Sequence, residues 1–245
     1  MFYRRRLFPI LFTLIIAIAA SLNVASAAGR TGNTDKKKTP VEAPLNIAIL
    51  IQDDLVSSVG NELGVTADFI RSLPKGSRVM VGYITAGSLQ VRQPFTADLN
   101  QAARSLRIPL ANVNAAPFNP YVEVIEALRR FDASGKGRNA LLLISDGLDV
   151  SRGFDSSAAG RTLDLERAIR AANSRQVAIY SFYAPSVGLT SHSRLAASYG
   201  QSSLNRISND TGGRAFFQGT TGFVTFDSYF DHLRASLNAQ YARAY

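Results

Sequence analysis

Two short, almost continuous apolar segments place the strongest constraint on how this chain can fold. Residues 46–52 read NIAILIQ, residues 139–145 read NALLLIS, and an aspartate directly follows each of them. A strand that faces water on one side alternates apolar and polar residues, whereas a strand covered on both faces is apolar throughout. The two segments therefore predict central strands of a sheet that lies between two layers of helices, as in an α/β fold.

The remaining sequence alternates between strand-like and helix-like patterns. The second and third strands are separated by a turn at Gly87, so we expect them to pair antiparallel in an otherwise parallel sheet. The predicted fold is Rossmann-like, with a doubly wound, mixed, mostly parallel six-stranded sheet flanked by helices. We expect the other strands at residues 78–85, 88–93, 176–183 and 214–218, and helices at residues 57–73, 98–106, 120–130, 163–173, 194–209 and 226–239.

The first residues have the pattern of a secretory signal peptide. Arg4, Arg5 and Arg6 precede an apolar stretch over residues 7–22, and Ala25-Ser26-Ala27 supplies a cleavage motif. The alternative is a retained membrane anchor, but the densest apolar run, residues 14–20, is shorter than the ~20 residues that span a bilayer. We predict a signal peptide over residues 1–27 and a flexible basic linker over residues 28–44. One domain follows over residues 45–245, which would be periplasmic or extracellular and have no stable membrane span.

Composition narrows the classes of partner. The chain lacks cysteine, so no disulfide stabilises it, and its formal net charge of +9 falls to +6 without the three arginines at residues 4–6. Part of the remaining charge is the run Lys36-Lys37-Lys38 in the linker. Since no basic stripe is interleaved with aromatic residues, the sequence predicts no nucleic-acid partner.

The sequence also lacks the common motifs of enzymes. There is no Gly-x-Gly-x-x-Gly loop after the first strand, no P-loop and no Gly-x-Ser-x-Gly elbow. The two histidines, His192 and His232, are both expected to have surface roles. We therefore predict a non-enzymatic protein.

Polar side chains follow the two central strands at the point where each strand ends. In an open α/β sheet, ligands bind beyond the carboxyl ends of the strands. Carboxylate, hydroxyl and amide oxygens that meet there are the ligands preferred by Mg²⁺, Ca²⁺ and Mn²⁺. The alternative is that these residues only cap helices and form turns. The residues concerned are Asp53, Asp54, Ser57, Ser58, Asn114, Asn119, Asp146, Gly147 and Asp149.

The order of these segments resembles the von Willebrand factor A domain. The matching features are the first strand with its acidic cluster and serines, LPKGSRVMVGYI, LLLISDGLD and ISNDTGGRAFF, and they cover nearly all of residues 45–239. More narrowly, the chain is similar to a bacterial exported subgroup of such domains. That similarity rests on IQDDL, SLPKGSRVMVGYI, QPFTADLNQAARSLRIPL and TGGRAFFQG. The resemblance implies a domain that binds or adheres to other proteins.

The resemblance also implies a metal-ion-dependent adhesion site, which this sequence carries in altered form. Asp53 matches the first aspartate of the family's Asp-x-Ser-x-Ser motif, and Ser57 matches its second serine. Leu55 replaces the first serine, Asn119 falls at or near the position of a threonine ligand, and Asp146 matches the last aspartate. One expectation is weak binding of Mg²⁺, Ca²⁺ or Mn²⁺, with Asp54 or Ser58 as a substitute ligand. The other is a metal-free site in which hydrogen bonds to loop amides and to Ser57 hold Asp53 and Asp146.

We expect a protein partner to bind the loops at this edge of the sheet. Its contacts would come from Asp54, Ser58 and Asp149 and from three aromatic residues at loop ends, Tyr121, Phe154 and Tyr183. Two alternatives remain open: a structural domain that assembles in the cell envelope through its flanks, and a metal-dependent hydrolase. The sequence names neither the partner nor an oligomeric state.

Overall fold

The computed structural model describes residues 44–132, 137–153, 162–217 and 225–244, with side chains up to residue 239. Its six strands form one sheet in the order β3-β2-β1-β4-β5-β6. All neighbouring pairs are parallel except β2 and β3, which are antiparallel. This confirms the predicted doubly wound, mixed sheet. None of the described helices is long and apolar enough to cross a membrane.

The strands are close to their predicted positions, with two differences. The third strand extends past Pro94 to Thr96, because register shifts opposite Val79 and Val81 let pairing continue around a residue that has no N–H to donate. The last strand has only two residues. The strands are β1 (Leu45–Gln52), β2 (Arg78–Thr85), β3 (Ser88–Thr96), β4 (Arg138–Ser145), β5 (Val177–Tyr183) and β6 (Ala215–Phe216).

The helices differ most from prediction after β1. The segment predicted as one helix over residues 57–73 begins as a 3₁₀ helix, Ser57–Glu62, in which Gly60 and Asn61 disfavour a regular α-helix. A one-turn helix, α5, was not predicted. The α-helices are α1 (Leu63–Arg71), α2 (Leu99–Arg104), α3 (Pro120–Leu128), α4 (Leu163–Ser174), α5 (Leu189–His192), α6 (Arg194–Asp210) and α7 (Asp227–Ala244), and Val113–Ala115 is a further 3₁₀ turn.

The sheet has a buried core on each face, as the continuous apolar strands require. Along β1, Ile47, Ile49 and Ile51 pack on the side of α1, α2 and α7, with Phe69 and Phe230 among their neighbours. Ala48 and Leu50 pack on the opposite side, against α3, α4 and α6. We call the edge where the parallel strands end the carboxyl edge, and the opposite edge the amino edge. Arg138, at the start of β4, donates to the carbonyl of Leu237, so α7 has reached the amino edge by Leu237.

Helix α6 contacts the end of β4 through a glycine. A Cβ atom at Gly200 would lie 1.9 Å from the carbonyl oxygen of Asp146, and one at Gly147, whose φ is +69°, would lie 2.5 Å from the carbonyl of Gly200. At Gly200 the nearest atoms all belong to the backbone, so no flexible side chain can move aside for an added methyl group.

We expect Gly200→Ala to destabilise the protein by about 1–3 kcal/mol, because the added methyl group separates α6 from the loop that holds Asp146. Gly64→Ala in α1 is the matched control, since nothing lies within 4 Å of the Cβ position there. That control is expected to stabilise the helix by about 0.5–1 kcal/mol. Urea unfolding of the two variants measures both effects, and equal stability would contradict the close contact.

Candidate functional site at the carboxyl edge

Four segments that are distant in sequence meet at the carboxyl edge. The amide of Val56 donates to the carbonyl of Pro185 at 3.0 Å, and the amide of Val187 donates to the carbonyl of Asp54 at 2.8 Å. The connection between α2 and α3 joins the same surface through the amide of Ala111, which donates to the carbonyl of Asp53 at 3.0 Å. The loop after β4 joins it through the amide of Val150, which donates to the carbonyl of Phe118 at 2.8 Å. The loops after three strands therefore form one continuous surface with the α2–α3 connection.

Asp53 forms a buried ion pair with Arg107. The side chain of Asp53 is fully buried, and the guanidinium contacts both of its oxygens: Nη1 lies 2.6 Å from Oδ1, and Nη2 lies 2.7 Å from Oδ2. The amide of Leu110 also donates to Oδ1, at 3.0 Å. The bond to Asp53 raises the pKa of Arg107 above its ordinary value, so the guanidinium remains charged. This pairing uses both oxygens of the carboxylate.

Arg107 was not among the site residues predicted from the sequence. It lies 54 residues from Asp53 in the chain, in a connection without helical or strand periodicity. One signal points to it: Arg107 is the single charged residue between positions 105 and 122. A lone cation in an otherwise uncharged connection is a candidate partner for a buried carboxylate.

Asp54 and Asp146 share one side-chain amide. The Nε2 of Gln52, the last residue of β1, donates to Oδ1 of Asp54 at 2.8 Å and to Oδ1 of Asp146 at 3.1 Å. The Oε1 of Gln52 accepts from the hydroxyl of Ser145, which fixes the orientation of the amide. Gln52 therefore joins the loop after β1 to the loop after β4.

Asp146 has further donors from two directions. The amide of Leu148 donates to Oδ1 at 3.1 Å, and the hydroxyl of Thr190, in α5, donates to Oδ2 at 3.1 Å. Burial raises the pKa of Asp146 despite these hydrogen bonds. For Asp54, burial and the nearby charge of Asp146 raise the pKa to about 7. One of these two carboxyl groups therefore gains a proton near neutral pH.

The other residues implied as metal ligands have side chains that are buried in the core, exposed, or hydrogen-bonded to groups other than Asp53 and Asp146. Leu55 is fully buried in the core and pairs with Ser186 in an isolated β-bridge. Ser57 is exposed, at the start of its 3₁₀ helix. The side chain of Asn119 caps α3 by accepting from the amide of Tyr121 at 3.0 Å, and it donates to Asp164 at 2.8 Å.

The donor set does not fit a divalent cation. Both oxygens of Asp53 are bonded to a cationic side chain, and both oxygens of Asp146 accept hydrogen bonds within the protein. In the described part of the chain, no three His, Cys, Asp or Glu side chains are grouped so that they could hold a metal ion. The hydroxyl of Ser58 is buried and has no hydrogen-bond partner among the described residues. Mg²⁺ in particular requires a near-ideal octahedron of oxygens.

The aromatic residues predicted to contact a partner support the surface from beneath. Tyr121 is fully buried, and its hydroxyl donates to the carbonyl of Gly147 at 2.7 Å. Tyr183 is also buried, and its hydroxyl lacks a partner among the described residues. Neither ring is placed to touch another protein. Asp149 is partly exposed and accepts from the amide and hydroxyl of Ser151, and Phe154 lies outside the described residues.

The exposed apolar side chains are concentrated at one edge of the sheet. Within the described ranges, every exposed large hydrophobic residue lies at the carboxyl edge, either in a connection there or in the first three residues of a helix that begins there. Phe118 is the most exposed of them, at 68%. We call this set the apolar edge: Ile108, Leu110, Val113, Phe118, Val122, Leu163, Leu189, Leu195 and Phe217.

Together, the six-stranded sheet and the loops at its carboxyl edge define a von Willebrand factor A-like fold. The chain aligns with a solved von Willebrand factor type A protein from Catenulispora acidiphila at 18% identity and a TM-score of 0.53, covering 79% of this chain and 43% of that one. It aligns with the conserved hypothetical protein BatB from Bacteroides thetaiotaomicron at 15% identity and a TM-score of 0.53, covering 80% and 97%.

A third similar structure is an aerotolerance-related membrane protein from Bacteroides fragilis, at 14% identity and a TM-score of 0.50, with 80% of this chain and 98% of that one covered. No protein-family model matches the sequence, and no curated protein matches it. At these identities, the likeness establishes the fold.

Proposed function

We propose that this chain is an exported, non-enzymatic domain that binds another protein through its apolar edge. The observation that carries the proposal is the segregation of exposed apolar side chains to one end of the molecule. Exposed apolar side chains are usually scattered singly over a soluble protein, so their segregation to one edge favours an interaction site there. The surface also lies where open α/β sheets place their ligands.

The distribution of side chains favours this proposal over the two alternatives. Envelope assembly through the flanks would require apolar side chains on the outer faces of the helices, whereas the described exposed ones lie at the carboxyl edge. Hydrolysis would require a carboxylate that substrate can reach, but Asp53, Asp54 and Asp146 are all buried and bonded. The proposed export rests on residues 1–27, with their arginines, apolar stretch and cleavage motif.

The proposal predicts that polar substitutions on the apolar edge abolish binding without unfolding the protein. We expect Leu110→Ser/Phe118→Ser to lose a partner that the native protein captures from an envelope extract of its own cells. Both side chains are more than 60% exposed, so their removal should change stability by less than about 0.5 kcal/mol.

The control is Lys75→Ser/Arg129→Ser, which changes two exposed residues at the amino edge. Capture followed by mass spectrometry compares the three proteins, and circular dichroism verifies that each is folded. A partner that binds the apolar-edge variant as well as the native protein would overturn the proposal.

A further inference from the structure

Asp53 organises the segment that carries the first two residues of the apolar edge. Its side chain accepts from Arg107 and from the amide of Leu110, and its carbonyl accepts from the amide of Ala111. A single buried residue thus fixes residues 107–111 through both side chain and backbone. With these contacts in place, the side chains along the segment point in different directions. The Arg107 side chain points inward to Asp53, whereas Ile108 and Leu110 are 62% and 61% exposed.

Arg107 is itself held from the opposite side by Tyr83. Its guanidinium carbon lies 4.0 Å from the centre of the Tyr83 ring, a distance at which a cation and an aromatic face attract each other. The Tyr83 hydroxyl donates to the carbonyl of Arg107 at 2.6 Å and accepts from its amide at 2.7 Å. Both the backbone and the side chain of Arg107 are therefore fixed, and only 24% of the side chain is exposed.

A buried carboxylate must be compensated by positive charge and by hydrogen-bond donors. A divalent cation would supply that charge in a metal site, but here the guanidinium supplies it, and its planar fork matches the carboxylate bidentately. Unlike a dissociable ion, Arg107 is covalently part of the segment that bears Ile108 and Leu110, so its ion pair with Asp53 ties that segment to the end of β1.

We propose that Arg107 performs the electrostatic role of a divalent cation at this edge, so that the apolar edge is assembled without metal. Arg107 and Asp53 act as positioning residues for the surface that the partner contacts. The inference rests on the proposed function only where it says that a partner binds the apolar edge. How Asp53 and Arg107 order that edge can be measured without a partner.

The first test is amide hydrogen exchange of the purified protein. Arg107→Gln should accelerate exchange at Leu110 and Ala111 at least about tenfold, because both amides donate to Asp53 and lose their anchor. Arg104→Gln, an exposed arginine three residues earlier, should leave both amides as protected as in the native protein. Arg107→Lys retains the charge without the fork and should restore part of the protection.

The second test is a titration of the native protein with Mg²⁺, Ca²⁺ and Mn²⁺, followed by calorimetry and by thermal unfolding. We expect no heat of binding and a Tm that is the same within about 1 °C in chelator and in about 10 mM ion. Sub-millimolar binding to the native protein would overturn the proposal. The proposal would also be overturned if the amides of Leu110 and Ala111 exchanged equally fast in the native protein and in Arg107→Gln. The same holds if Arg107→Lys restored none of their protection.

The titration needs no variant, so the proposal remains testable even if Arg107→Gln does not fold. The outcomes also separate the two proposals. If partner capture does not depend on Leu110 and Phe118, the proposed function fails, whereas the exchange and titration results still decide how the edge is built.

Discussion

Arg107→Gln is expected to lower the free energy of unfolding by about 3–5 kcal/mol, the largest effect of any single substitution at this site. The substitution leaves the carboxylate of Asp53, fully buried, without its counter-charge. Breaking a buried ion pair by removing one partner costs this much because the remaining charge is uncompensated. Urea unfolding monitored by circular dichroism measures the loss.

A double-mutant cycle distinguishes the charge from simple packing. Asp53→Asn/Arg107→Gln removes both charges, so it should be less destabilised than Arg107→Gln alone, with an interaction energy of about 1–3 kcal/mol. Arg104→Gln again serves as the control and should change stability by less than about 0.5 kcal/mol. Additive effects of the two substitutions would show that Asp53 and Arg107 do not depend on each other.

A pH-dependent stability is the second large effect, and it arises from Asp54. Its pKa is raised from 3.8 to about 7 in the folded protein, first by burial and then by the charge of Asp146. The folded state retains the proton on Asp54 more tightly than the unfolded state does. The stability that protonated Asp54 contributes is therefore fully present below about pH 4 and is lost as pH rises through 7. At about 1.4 kcal/mol per pKa unit, the free energy of unfolding falls by up to about 4 kcal/mol between these limits.

We expect Asp54→Asn to remove much of this decline, so that the variant is more stable than the native protein at pH 8 and comparable to it below about pH 4. A smaller decline should remain, because burial also raises the pKa of Asp146. Denaturant unfolding at several pH values tests this, with Asp132→Asn as a control at an exposed aspartate. A change in stability between about pH 4 and pH 8 that is equal in the native protein and in the Asp54→Asn variant would contradict the prediction.

The architecture could be predicted from the sequence because burial imposes a pattern on each strand. The runs that became β1 and β4 are apolar on both faces, and they occupy the centre of the sheet. The end of β3 was predicted at residue 93, but a local irregularity carries the pairing past Pro94 to Thr96. Such irregularities depend on the neighbouring strand and leave no periodic trace in the sequence.

The candidate site could be predicted only in part. The placement of Asp53 and Asp146 beyond the ends of β1 and β4 follows from the parallel sheet alone. Their partners depend on side chains that reach across the fold: Arg107 from the α2–α3 connection, and Thr190 from a helix of only four residues. The burial of Tyr121 and Tyr183 likewise depends on how α3 and β5 pack against their neighbours. The position of these residues at loop ends in the sequence does not determine that packing.

The contact between Arg138 and Leu237 has a practical consequence for experiments on this domain. Strand β1 starts at the amino edge, and α7 runs toward the same edge and reaches it at Leu237, beside the start of β4, so both ends of the domain emerge opposite the apolar edge. A tag, a fluorophore or a fusion protein joined before Leu45 or after Ala244 therefore points away from the surface where the partner is expected to bind. Immobilising the domain on a sensor chip through either end leaves that surface facing the solution.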